Sequence, residues 1–183
     1  MKNIFAENDM AKILFTEEDI QTRIKELGKE LSEDYKDKFP VLIGVLRGAV
    51  LFYADLVKEL DIHLEMNFLA ISSYGSGTES TGEVRIQYDM QESIKGRHVL
   101  VIEDIIDSGR TISHLKEILY ARHPESIKVC SLLDKPSRRE VKAEGDYIGF
   151  VVPNEFVVGY GLDYAGKYRN LNYIGVLKPD IYE

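Results

Sequence analysis

The chain is 183 residues long, with 44% hydrophobic and 30% charged residues, which suits one ordinary globular domain and excludes a disordered or fibrous chain. Its 23 basic and 31 acidic residues leave a net charge of −8. That balance argues against a general nucleic-acid binder, whose affinity comes from neutralising phosphates with basic side chains, but not against a phosphorylated small molecule held locally by backbone N–H groups, an Arg and a metal.

The opening stretch MKNIFAENDMAKILF carries acids and lacks the long apolar run of a secretory signal. Nothing after it approaches the ~20 apolar residues of a membrane span. Residues Thr16 to Lys38 read as a helix: Thr16 stands at the N-cap with Asp19 three residues on, and Ile20, Ile24, Leu27 and Leu31 form an inward stripe. The first 40 residues thus read as a mixed-charge helix ended by Pro40. Val41–Val45 is a continuous apolar run of the kind that parallel strands buried on both faces show. Leu46-Arg47-Gly48 makes a turn, Ala49 to Leu60 a second amphipathic helix, and Leu64–Ile71 another strand. Ser72 to Gly82 (SSYGSGTESTG) has almost nothing apolar to anchor it and reads as a lid loop.

Val84–Tyr88 alternates as a strand does, and Val99–Glu103 is the most apolar strand. Asp104 to Arg110 reads as a loop, Thr111 to Arg122 as a helix, and Ile127–Leu133 and Tyr147–Val152 as strands. Cys130, the lone cysteine, cannot form an internal disulfide and fits a reducing, cytoplasmic setting. Strands alternating with helices imply βαβ units, hence an α/β, doubly wound, mainly parallel sheet flanked by helices. No repeat or low-complexity linker divides residues 1–183, so a single domain is expected.

The common nucleotide signatures are absent: no GxxxxGK[ST] and no GxGxxG after the first strand. His63, His98, His114 and His123 lack partners at metal-ligand spacing and read as surface or structural residues. What stands out is Val99-Leu-Val-Ile-Glu-Asp-Ile-Ile-Asp-Ser-Gly-Arg-Thr111. A buried strand delivers Glu103 and Asp104 to its carboxyl end, where open α/β sheets bind ligands. Ser108-Gly109-Arg110-Thr111 then offers N–H groups and hydroxyls at a helix N-terminus, a seat for phosphate, with Gly109 allowing close approach. Acids that accept from vicinal hydroxyls beside a phosphate cradle describe a ribose-phosphate site. A capped helix with Asp107 or Ser108 at the cap explains one acid, but not three acids and the cradle in this order.

Residues 99–111 resemble the phosphoribosyl pyrophosphate motif of the type I phosphoribosyltransferases, in a form most like the hypoxanthine-guanine branch. Leu46-Arg47-Gly48 resembles that family's pyrophosphate loop, Ser73-Tyr74 its lid, Leu133-Asp134-Lys135-Pro136 its purine-recognition strand end, and Phe156 to Asp163 with Tyr168-Arg169 and Tyr173-Ile-Gly-Val its hood and closing strand. Arg47 stands where many relatives carry Lys, and Ser108 where Thr is frequent; the charge and the hydroxyl are kept.

The resemblance implies a core over about residues 40–152 and a hood made by the N-terminal segment and residues 153–183. It implies transfer of phosphoribose from phosphoribosyl pyrophosphate to a 6-oxopurine, giving IMP or GMP and pyrophosphate, with Mg²⁺ as cofactor. Arg47, Gly48, Ser73, Tyr74, Glu103, Asp104, Ser108, Gly109, Arg110, Thr111 and Arg169 would bind phosphoribosyl pyrophosphate, with Arg139 a weaker candidate. Asp107 would be the general base at purine N7. Lys135, Phe156, Val157 and Asp163 would bind the purine, and Glu103, Asp104 and Asp163 would lie nearest the metal. A Lys donating to the 6-oxo group discriminates against the amine of adenine. The resemblance leaves open a strained or cis peptide in the 46–48 loop; it implies a homodimer or homotetramer, with residues 48–60 as a candidate interface. The competing readings are a sensing regulator of the same fold and transferases for xanthine, adenine or orotate. A regulator needs a basic face or an added DNA-binding segment, and neither is visible.

Overall fold

The structure is a computed structural model and describes residues 6, 8–73 and 84–182. Its larger sheet has six strands, β2 (Val41–Leu46), β3 (Glu65–Ser73), β4 (Val84–Tyr88), β5 (His98–Ile106), β6 (Ser126–Asp134) and β7 (Tyr147–Val151). They run in the order β4-β3-β2-β5-β6-β7, all parallel except β4, which pairs antiparallel with β3. The doubly wound reading of the alternating pattern is therefore correct.

Three helices cover the sheet: α1 (Glu17–Asp34), α2 (Val50–Leu56, continued by a 3-10 turn over Val57–Glu59) and α3 (Arg110–Tyr120). The α1 stripe Ile20, Ile24, Leu27 and Leu31 is fully buried with Phe52, Leu56, Leu42, Leu100 and Ile102 on one face. On the other face Ile112, Leu115 and Leu119 of α3 pack with Val41, Ile43, Val99 and Val101. Successive residues of β2 and β5 thus enter opposite cores, which is why both strands read as unbroken apolar runs. Each such side chain contributes about 1.5–3 kcal/mol of burial.

Thr16 caps α1 as expected: its hydroxyl accepts from the Asp19 N–H at 3.2 Å, and the Asp19 carboxylate accepts from the Thr16 N–H at 2.8 Å. The helix stops at Asp34, short of the expected Lys38, because no apolar side chain beyond Tyr35 pins another turn to the sheet; Asp37 and Phe39 then take positive φ. A second difference matters more for the site. β5 does not end at Glu103 but runs to Ile106, because Ile105 and Ile106 still pair with Leu133 and Asp134 of β6. Glu103 and Asp104 are therefore held by a sheet ladder and not by a loop.

The reading of the first 40 residues as a helix needs correcting. A strand, β1 (Met10–Phe15), precedes α1 and joins β9 (Ile174–Leu177) and β8 (Val157–Val158) in an antiparallel sheet of order β1-β9-β8. β1 gives only a weak alternating signal, with Ile13 54% exposed, and its partner Ile174–Leu177 lies near the other end of the sequence. After β9 a short helix, α4 (Pro179–Tyr182), turns back over this sheet. Among the described residues no helix is long and apolar enough to cross a membrane.

Candidate active site

From the adjacent strands β2 and β5 the chain winds outward in opposite directions, and at their carboxyl ends lies a cavity of about 830 Å³. This is the switch point at which open α/β sheets bind ligands. Arg47 and Gly48 enter from the end of β2, Glu103 and Asp104 from β5, Ser108, Arg110 and Thr111 from the start of α3, and Asp163 and Arg169 from the segment between β8 and β9. The Leu46–Arg47 peptide is cis, a point the sequence left open. A Cβ at Gly48 would overlap the Asp104 carboxylate and force it to move, and a Cβ at Gly161, which has φ +102°, would run into the Gly48 carbonyl. Gly48 thus sits between the strand acid Asp104 and the segment that carries Gly161.

Glu103 is 5% exposed, and its Oε2 has no hydrogen-bond partner. Burial pushes its carboxyl well above the ordinary range, and the neighbouring Asp104 charge adds to the rise. Burial also raises Asp104, although its hydrogen bonds to Glu103 and to the Ile105 N–H, and then the Arg169 charge, act against the rise. Such a pair accepts hydroxyl donors or a hydrated cation readily, since either returns the solvation that burial removed. Gly109, with φ +84°, stands at the cap position of α3 and has no side chain to cap it, while the Ser108 hydroxyl accepts from the Arg110 N–H at 3.4 Å. The positive helix end is left available to an anion.

A second cavity, of about 330 Å³, lies beside the first and is lined by Ile105, Asp107, Lys135, Arg138, Glu155, Phe156, Val157, Leu162 and Tyr182 among others. Lys135 is buried; its Nζ donates to the Glu155 carbonyl at 2.9 Å and lies 3.8 Å from Asp107 Oδ2. Burial lowers its pKa, and the Asp107 charge opposes that. Arg138 Nε lies 3.4 Å from Asp107 Oδ1, which makes no hydrogen bond. Asp107 therefore lines the cavity between two cations, and its Oδ1 makes an ion pair but no hydrogen bond.

The expected residues divide between the two cavities with four differences, the first being Gly109, which lines neither although Ser108 and Arg110 on either side of it line the larger one. Asp163 lines the larger cavity and not the base-sized one, because Arg169 Nη2 holds it at 2.5 Å and the Gly166 N–H donates to it at 2.8 Å. Among the described residues no three His, Cys, Asp or Glu side chains gather closely enough to hold a metal ion, so Asp163 does not join Glu103 and Asp104 in one cluster. Arg139 lines neither cavity: it donates to the Asp107 carbonyl at 2.7 Å and pairs with Asp134, bracing the turn that carries Asp107. Ser73 ends β3, while Tyr74 and the rest of the expected lid, through Gly82, lie outside the described residues.

Arg138, Glu155 and Tyr182 were missed. Arg138 follows Lys135 by three residues on a 3-10 turn over Pro136–Arg138, a signal the Pro supplies. Glu155 contributes a backbone carbonyl, which no side-chain pattern reports. Tyr182 reaches the cavity only through the pairing of β9 with β8.

The phosphoribosyl transferase domain family matches residues 11–165. The chain belongs to that family. It is 56% identical over 176 residues to the hypoxanthine-guanine phosphoribosyltransferase of Bacillus subtilis, covering 96% of this chain and 98% of that protein. It is 57% identical over 175 residues to the bifunctional protein TilS/HprT of Listeria monocytogenes, of which it spans only 27%. The crystal structure of a hypoxanthine phosphoribosyltransferase from Staphylococcus aureus superposes with a TM-score of 0.96 at 49% identity, over 100% of both chains.

Proposed function

We propose that this chain transfers the 5-phosphoribosyl group of phosphoribosyl pyrophosphate to N9 of hypoxanthine or guanine, giving IMP or GMP and pyrophosphate. One observation carries the reading: residues of β5 and its turn divide between the two cavities. Glu103, Asp104 and Ser108 face the larger one, Ile105 and Asp107 the smaller. A sugar-phosphate in the first and a planar base in the second would meet at this strand end, where a glycosidic bond must form.

In this reading Glu103 and Asp104 accept from the ribose hydroxyls, and the start of α3 with Ser108 and Thr111 seats the 5-phosphate. Arg47, the Gly48 backbone and Arg169 hold the pyrophosphate. N9 attacks the anomeric carbon as its bond to the pyrophosphate oxygen breaks, and Asp107 takes the N7 proton released by the base. Lys135 donates to the 6-oxo group, Phe156 stacks on the ring and Val157 offers backbone groups to its edge. Mg²⁺ would supply Lewis-acid neutralisation of the departing pyrophosphate. The orphaned Glu103 oxygen and Asp104 fit it, since Mg²⁺ takes only one or two carboxylates and completes its shell with water and phosphate oxygens. The same reading includes a cytoplasmic location and a homodimer or homotetramer joined through α2, where Val50 is 39% exposed. Sedimentation of the purified chain tests the assembly.

The activity is tested by mixing protein, phosphoribosyl pyrophosphate and Mg²⁺ with hypoxanthine, guanine, xanthine, adenine or orotate in turn and following nucleotide formation. Product is expected with hypoxanthine or guanine and none with adenine. Binding of phosphoribosyl pyrophosphate without product from any base would overturn the transferase reading in favour of a sensor.

A further inference from the structure

We propose that Tyr182 is a positioning residue for the base, acting through Phe156; the inference rests on the purine-transfer reading above. Phe156 is 36% exposed, unusual for a large apolar ring that must present one fixed face to a ligand. Its rotamer has to be held by something other than burial. Tyr182 stacks on it with ring centroids 4.9 Å apart and 24° between planes, and both rings line the smaller cavity. Tyr164 closes the cluster edge-on, 5.6 Å from Phe156 and 6.5 Å from Tyr182.

The backbone makes this arrangement reproducible. The Leu177 N–H donates to the Phe156 carbonyl at 2.9 Å, so the end of β9 is tied to the residue it must support. The next residue, Lys178, donates its N–H to the Asp9 carbonyl at 2.9 Å and its Nζ to the Asn8 carbonyl at 2.6 Å, which fixes where α4 begins. α4 then carries Tyr182 back across Phe156. An aromatic pair of this kind restricts the ring before a base arrives, so less freedom is lost on binding.

The test compares wild type, Tyr182→Ala and Tyr182→Phe for KM of hypoxanthine, KM of phosphoribosyl pyrophosphate and kcat. Tyr182→Ala is expected to raise KM for the base roughly two- to tenfold, the span of one aromatic pair. KM for phosphoribosyl pyrophosphate and kcat should stay within twofold, and Tyr182→Phe should restore the wild-type value. An unchanged KM for the base overturns the inference, and so does a lower one, which would mean that the ring covers the stacking face. Losses shared by both substrates and not restored by Phe also overturn it, in favour of a general structural role. A wild-type protein that transfers to no purine would instead overturn the function itself, an outcome read before any variant is made.

Discussion

The two cavities share the end of β5, yet their charges are arranged in opposite ways. In the larger one burial raises two adjacent acids, the Asp104 charge adds to the rise of buried Glu103, and one Glu103 oxygen has no hydrogen-bond partner among the described residues. In the smaller one a buried Lys and a surface Arg already flank Asp107, at 3.8 and 3.4 Å. In the proposed reading the phosphoribosyl half thus has a deficit that hydroxyls and a cation would fill, whereas the acid of the base half already has cationic partners before anything binds. Substitutions on the first side should therefore act on binding of phosphoribosyl pyrophosphate, and substitutions on the second on turnover and on choice of base.

The largest expected effect comes from Asp107→Asn, which keeps the shape of the base half and removes its proton acceptor. Turnover should fall about 10²- to 10⁴-fold, the range of one general base. Binding of phosphoribosyl pyrophosphate, followed by calorimetry, should change little. Equal losses in both would place Asp107 on the phosphoribosyl side and dissolve the comparison.

Gly48→Ala tests the other half. The added Cβ can fit only if the Asp104 carboxylate swings away, and a displacement on that scale costs about 10²-fold in a positioned site. The loss should appear in kcat/KM for phosphoribosyl pyrophosphate, with KM for hypoxanthine close to wild type. Lys135→Ala comes next in size. A donor matched to a 6-oxo group is worth about 1–3 kcal/mol, so the preference for hypoxanthine over adenine should fall roughly ten- to a hundredfold in a base-competition assay.

The two halves also differ in how far a sequence can report them. Most of the phosphoribosyl half comes from two short stretches, Leu46 to Gly48 and Glu103 to Thr111, each a strand end followed by a turn that carries a glycine, with the acids in the second. Local order is enough to read such a site. The base half joins Asp107 and Lys135 to Phe156 and Tyr182, brought together by β6 pairing beside β5 and by the antiparallel β1-β9-β8 sheet. The parallel core was legible because residues buried on both faces must be apolar throughout. β1 was not, because an edge strand is defined by a partner distant in sequence. Likewise no local rule says that Arg169 claims Asp163 for the phosphoribosyl side, or that two further isoleucines keep Asp104 inside a strand.

The smallest prediction concerns neither cavity and serves as the control. Arg122, just beyond α3, clamps Asp89, just beyond β4, through two bonds of 2.8 and 2.7 Å. The Arg122 hydrogen bonds hold the Asp89 carboxyl below its ordinary value, against a modest desolvation cost. A carboxyl lowered by folding binds fewer protons in the native state than in the unfolded one. Its contribution to stability is therefore present above the unfolded pKa and is lost as pH falls through the folded value. Arg122→Ala should thus lower stability at pH 7 by no more than about 1 kcal/mol, as expected for a half-exposed pair. The gap between variant and wild type should shrink as the pH drops below about 4, in urea melts repeated down the acid range. Neither KM nor kcat should move. If KM for phosphoribosyl pyrophosphate rose instead, the start of α3 would depend on the clamp at its far end, and the two halves would have to be treated as one mechanical unit.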